Sequence, residues 1–186
     1  MGADMKILKP VVAACALSFC VTFPVGAQQS DLEDLFTALK TADAEAAEPI
    51  AKKLWDEWSK SGSPAMDLLL QRGREMIEEG DLVLAVEHFS ALIDHAPAFA
   101  EGYNARATAL FQLNRYGEAL EDVRVALALN PRHCGAMSGL GTLLEDMGYP
   151  EEALSAWQAV QAVYPANPNA EKAVQRLEVI VEGVTL

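Results

Sequence analysis

The sequence predicts an all-α chain built as a stack of antiparallel helical hairpins, and three observations carry that prediction. Laid against itself at an offset of 34, the chain aligns Ala85 with Ala119 and Ala153, Phe89 with Val123 and Trp157, and Pro97 with Pro131 and Pro165. Apolar residues recur at helical spacing within each period, and Gly73, Ala107 and Gly141, all small, fall in register with one another. A chain that is 51% hydrophobic and 22% charged has the composition of a packed protein rather than a disordered one. Self-similarity at a fixed period means supersecondary units that bury their apolar faces only by stacking.

The period divides the chain into units 66–99, 100–133 and 134–167. In each, two helices are separated by helix-stop chemistry: Gly80-Asp81, Asn114-Arg115 and Gly148-Tyr149-Pro150. Gly or Asn just past a helix end tolerates the left-handed conformation that reverses the chain, and Pro150 suits the first turn of the next helix. Pro97, Pro131 and Pro165 close each second helix by disfavouring helical geometry in the residue before them. The small residues predict the closest helix approach, Gly73 with Ala85, Ala107 with Ala119 and Gly141 with Ala153. A larger side chain there should cost about 1 to 3 kcal/mol by overpacking.

Carrying the frame back by one period places Ala51, Trp55 and Trp58 opposite Ala85, Phe89 and Leu92, behind an apolar stripe of Leu32, Leu35, Phe36 and Leu39. Residues 28–65 are therefore expected to form a fourth, degenerate hairpin packed on the repeats, with both tryptophans in its core. Its inter-helix segment, Thr41 to Glu48, lacks glycine, and its proline slot falls on Ser63 beside Pro64. From Asn169 to Glu182 the pattern is one helix, apolar at Val174, Leu177 and Val181 and polar at Glu171, Lys172, Arg176 and Glu178. Residues 168–186 thus suit a cap, which a stack needs to cover its last layer.

The first 27 residues read as a secretion signal. Lys6 and Lys9 precede a 13-residue apolar stretch from Val11 to Phe23, followed by small residues at Val25-Gly26-Ala27. Asp4 is at odds with a positive leader, which makes Met5 an alternative start. The stretch is short of the roughly 20 residues that span a bilayer, so no stable membrane insertion is expected after cleavage. Val12-Ala13-Ala14-Cys15 has the look of a lipoprotein motif, yet most of the apolar run follows that cysteine instead of preceding it. A periplasmic product is the expectation. Cleavage removes Cys15 and Cys20 and leaves Cys134, either a small buried residue or a site of pairing between chains.

The net charge is −13, and no run of Lys or Arg offsets it, which argues against nucleic acid and anionic lipid as ligands. Gly135 to Gly139 is not a nucleophile elbow, because its serine sits one place late, and Gly139-Leu140-Gly141 lacks both a third glycine and a preceding strand. His88 and His95 have no metal-motif partners, and His133 beside Cys134 lacks a second ligand pair. No catalytic residues, metal or cofactor are expected.

With these residues in place, the chain resembles the tetratricopeptide repeat (TPR) family, whose pattern is W-x2-L-G-x2-Y, A-x3-F, P. The third unit carries it as Met137, Leu140, Gly141, Leu144, Ala153, Trp157 and Pro165. The first two units put Arg72 and Arg106 in the Leu slot, where the resemblance implies an acid on the second helix as partner. Asp122 is placed to meet Arg106, whereas His88 stands opposite Arg72.

The resemblance implies a right-handed α-solenoid whose first helices line a concave face that takes a protein or peptide. Its groove slots fall here on Leu70, Arg74 and Ile77, on Asn104, Thr108 and Phe111, and on Ser138, Thr142 and Glu145. Arg74 and Asn104 would hold a carboxylate or peptide backbone, and Leu70, Ile77 and Phe111 would anchor apolar side chains. The Lys/Asn set by which some TPR domains clamp a chaperone C-terminus is absent apart from Asn104. The expected function is a non-catalytic exported adaptor. The rival is a self-associating envelope scaffold, a homodimer formed through the N-terminal tryptophans.

Overall fold

The computed structural model describes residues 25–184, with side chains from 31 to 183. The leader expected over residues 1–27 lies outside the described residues except for its last three positions, which open the first helix. Among the described residues there are nine helices and no strand: α1 (Val25–Thr41), α2 (Ala44–Trp58), α3 (Pro64–Glu79), α4 (Leu82–His95), α5 (Ala100–Gln112), α6 (Tyr116–Leu129), α7 (Cys134–Asp146), α8 (Pro150–Val163) and α9 (Pro168–Val184).

The turn chemistry acts where the sequence puts it. Gly80, Asn114 and Gly148 have φ of +82°, +58° and +79°, the left-handed geometry that reverses the chain between the helices of each hairpin. Arg115 N–H then reaches back to Leu110 C=O at 2.9 Å, and Tyr149 N–H to Leu144 C=O at 2.8 Å. The proline-preceding residues Ala96, Asn130 and Tyr164 share one conformation, with φ between −133° and −138° and ψ of 65°, 92° and 79°. That is the non-helical region to which a following proline confines its neighbour, and it ends α4, α6 and α8.

From α3 onward each helix packs on the next, and the inner helices also touch in a row, α3 on α5 and α5 on α7. Each core is completed by residues of the following unit: Ala105 and Ala109 close the core of α3–α4, and Leu143 closes that of α5–α6. In the first and third hairpins an aromatic ring packs directly on the glycine of the close approach. A Cβ on Gly73 would lie 2.3 Å from the Phe89 ring and one on Gly141 2.6 Å from the Trp157 ring, so the aromatic one turn beyond the alanine fills the space. The second hairpin pairs Ala107 with the smaller Val123 in one cluster. Within each unit, then, the size of one residue compensates for the other.

This pairing explains the N-terminal hairpin. Its slots opposite Gly73 and Phe89 hold Leu39 and Trp55, two large residues that cannot share the gap. Leu39 is buried with Phe36, Ala47 and Leu54, and that cluster takes in Tyr164, with Cys134, Val163 and Ala166 packed against it. The hairpin is therefore seated on the third unit, α1 against α8, and its core draws nothing from α3–α4. The expected inter-helix segment is mostly helix: only Ala42 and Asp43 separate α1 from α2, and the Asp43 carboxylate accepts from Ala46 N–H at 2.9 Å, capping α2 without glycine.

At the other end α9 closes the third core with Ala170, Ala173, Val174 and Leu177 beside Trp157 and Val160. Leu177→Ala is expected to cost about 3 kcal/mol, the toll of a cavity at a buried leucine, and to lower the urea midpoint accordingly.

Candidate functional site

The inner face is the row α3, α5, α7, and the sequence-derived groove residues divide on it. Arg74, Ile77, Asn104 and Thr108 line one cleft of about 220 Å³. Asn104, Thr108, Phe111 and Thr142 line a second of about 170 Å³, and Ser138 borders a third of about 150 Å³ beside Trp55, Trp58 and Tyr164. Leu70 is a correction: at 2% exposure it belongs to the core with Phe89 and Ala105, because the slot lies in the seam between α3 and α5, into which an apolar side chain sinks. Glu145 is already engaged. It accepts from Trp157 Nε1 at 2.7 Å and pairs with Arg176, tying α7 to α8 and α9.

At the centre of the face lies a buried polar cluster that sequence reasoning missed. Glu101, on the first turn of α5, is 2% exposed and receives three donors. Arg74 Nη2 reaches Oε1 at 2.5 Å, while Asn104 Nδ2 and His133 Nε2 reach Oε2 at 3.0 and 2.9 Å. His133 is fully buried and caps α7, its Nδ1 accepting from Ala136 N–H at 3.2 Å. That bond fixes the tautomer: Nε2 carries the hydrogen and donates it to Glu101. The Arg74 guanidinium, bonded as well to Ser59 Oγ at 3.0 Å, is thus spent on this cluster rather than offered to a ligand. A clue existed in the sequence, since His133 occupies the repeat slot of Asn167, which caps α9 by accepting from Ala170 N–H.

Helix α2 lies over this cluster. Trp58 stacks on His133 with centroids 4.5 Å apart and planes 24° apart, and Arg74 sits 5.0 Å over the Trp55 ring. Both N-terminal tryptophans face their own repeats, Trp55 remaining 40% exposed. Below α1, Arg132 lies 4.0 Å over the Phe36 ring and pairs with Glu33, whose carboxyl is held below its ordinary range chiefly by that hydrogen bond. Cys134 is partly buried beneath the hairpin, and burial pushes its thiol up to about 11 from an ordinary 9.0. Only the thiolate is nucleophilic. At pH 8, alkylation of Cys134 is therefore expected to run about a hundredfold slower than that of an unfolded-chain thiol, and its rate to climb tenfold per pH unit until about pH 11.

Arg106 meets Asp122 through two bonds of 2.7 Å, the ion pair implied by the family pattern, and the carboxylate raises the guanidinium above its ordinary range. In the first unit Arg72 is exposed, and the slot of the acid is held by His88, itself a base. Nor do the described residues contain a group of three or more His, Cys, Asp or Glu arranged to hold a metal. No described helix is long and apolar enough to cross a membrane.

Comparison with known proteins agrees with this architecture. The family model described as Tetratricopeptide repeat matches residues 100–133, the second hairpin with its flanking turns. A TPR repeat-containing protein of Rhizobium etli is 35% identical over 147 residues, covering 78% of this chain and 72% of that protein. Small glutamine-rich tetratricopeptide repeat-containing protein 2 of Saccharomyces cerevisiae is 29% identical over 130 residues, but the match covers only 37% of it. Among solved structures, MamA superposes with a TM-score of 0.59 at 20% identity over 85% of this chain and 84% of its own. The first TPR of Spaghetti (RPAP3), bound to an HSP90 peptide, gives 0.61 at 23% identity over 63% of this chain and 93% of its own. A 34-residue period, helical hairpins that end on their prolines, and a relative matched over most of both lengths lead to one conclusion: the chain belongs to the tetratricopeptide repeat family.

Proposed function

We propose that the protein is a non-catalytic adaptor, exported to a bacterial periplasm, that holds a protein or peptide against its concave inner face. The observation that carries this reading is the open cleft of Asn104, Thr108, Phe111 and Thr142 between α5 and α7, a half-exposed aromatic ring flanked by hydroxyls on a rigid helical wall. The HSP90 and HSP70 peptides named in complexes of structural neighbours support a peptide as ligand class. The chaperone tail itself is not proposed here, because Asn104, the one matching clamp residue, donates to Glu101. The leader pattern in residues 1–27 supports export, and units 66–99, 100–133 and 134–167 are the proposed modules.

A photo-crosslinking amino acid placed at Thr108 or Phe111 in living cells is expected to give a discrete adduct, and one at exposed Arg124 on α6 to give none. With the crosslinker at Thr108, Phe111→Ala should lower the yield about tenfold without loss of helicity, the effect of one anchor of about 1.4 kcal/mol. Equal adducts from Arg124, or none from the inner face, would remove the assignment.

A further inference from the structure

The inner face is already occupied, in part, by the chain's own α2. This helix joins α3 through Ser59–Ser63, lies against Arg74 of α3 and against His133 and Gly135 at the start of α7, and packs on Tyr164 of the third unit. From it we infer that the inner face is built to take an amphipathic α-helix with two aromatic side chains one turn apart, and that α2 is a tethered occupant which such a partner displaces. The inference rests on the adaptor reading and specifies its ligand class.

Four features favour a detachable α2 over a permanent one. The polar cluster beneath it is complete without it: the three donors to Glu101 come from α3, α5 and the start of α7, so lifting the helix orphans no buried polar group. Pro49 lies inside α2 and has no N–H to offer Glu45 C=O, so the helix is weak by itself. Its seating leaves clefts on both sides of Trp55, of about 150 and 220 Å³, where a core helix would be close-packed. The connection to α3 is a short non-helical segment with Gly62 at φ +82°, anchored on α3 through Ser61 to Asp67 and Ser59 to Arg74, so α2 can lift about a fixed link.

The features of α2 that make contact define the partner. Leu54, Trp55 and Trp58 form an i, i+1, i+4 patch, with Trp58 flat on His133 and Trp55 against Arg74 and Gly135, where a Cβ would already lie 3.3 Å from the indole. This is helix-in-groove recognition, not capture of an extended acidic tail. A tether of this length holds α2 at an effective concentration of the order of millimolar, so a free helix must outcompete it. Apparent affinity is then set by the fraction of chains that are open.

The test uses the full chain, its Trp58→Ala variant, and a fluorescent synthetic peptide copying residues 44–60. Peptide-resolved alkylation of Cys134, which lies under the hairpin, reports opening. The rate is expected to rise about thirtyfold in Trp58→Ala, as loss of one half-buried indole gives. The peptide should bind the variant at least tenfold tighter than the unsubstituted chain, and it should slow the alkylation again. An unchanged alkylation rate, or a peptide that fails to bind the opened variant, overturns the inference. If the variant loses helicity, hydrogen exchange on the unsubstituted chain decides: α2 amides should exchange at least a hundredfold faster than those of α5 and α6, and equal protection overturns it. A discrete adduct from Thr108 that persists when the peptide fails leaves the adaptor reading standing; loss of that adduct removes the reading whatever the peptide does.

Discussion

Glu101→Ala is expected to destabilise the protein by about 3 kcal/mol and to loosen the hairpin over it. The carboxylate accepts from Arg74, Asn104 and His133, and its removal takes that acceptor from all three and leaves Arg74 with Ser59 Oγ. Breaking a buried ion pair from one side costs about 3 to 5 kcal/mol, because the partner stays behind. Arg74 is 31% exposed and turns part of its guanidinium to water, which places the loss at the lower end. His133 has no such escape, being fully buried, and its orphaned Nε2–H contributes about 1 to 3 kcal/mol of that loss. Urea unfolding should show a lower midpoint with an unchanged slope. Exposed Glu121→Ala serves as the control and should move stability by no more than about 0.5 kcal/mol. Glu101→Gln, which keeps an acceptor and loses the charge, should fall between the two. Equal stability of Glu101→Ala and the parent would mean that the cluster is not a keystone of the inner face.

The contrast between what the repeat register revealed and what it hid follows from how a register works. Positions shared by all units were legible: the left-handed Gly80, Asn114 and Gly148 and the helix-ending prolines each serve a local purpose fixed by chain geometry, while the Arg106–Asp122 pair of the second unit was legible from the family resemblance. The polar cluster is made of positions the units do not share. Glu101 stands in the slot of Asp67 and Gly135, and His133 in the slot of Phe99 and Asn167. Aligning the units discards such residues as noise, although a buried acid that meets a buried histidine 32 residues away is what distinguishes this inner face. Leu70 shows the same limit in reverse. Its slot is nominally in the groove, but a leucine at the α3–α5 seam gains more by burial than by exposure. The hairpin was legible as two helices and illegible in position, since nothing in its frame says that Leu39 and Trp55 are too large to stack as a unit and must be packed elsewhere.

That size rule gives the second large effect, and its decisive feature is that two damaging substitutions should repair one another. Gly73→Ala would ordinarily stabilise a helix by about 1 kcal/mol. Here the new Cβ would lie 2.3 to 2.7 Å from three atoms of the Phe89 ring, and Phe89, with no exposed surface, has nowhere to move. Overpacking of about 1 to 3 kcal/mol offsets the propensity gain and makes the single change destabilising. Phe89→Val removes most of a fully buried ring and should cost about 3 kcal/mol through the cavity it leaves. Together the two changes recreate the Ala107–Val123 pairing that the second unit already uses inside one well-packed cluster. The Cβ then occupies space the ring has vacated, so the double variant should be at least 1 kcal/mol more stable than the sum of the single losses predicts. Strict additivity in a double-mutant cycle by urea unfolding would mean that Gly73 and Phe89 do not share a gap. The N-terminal hairpin's departure from the stack would then need another cause, since Leu39 and Trp55 are kept out of register by the same steric exchange.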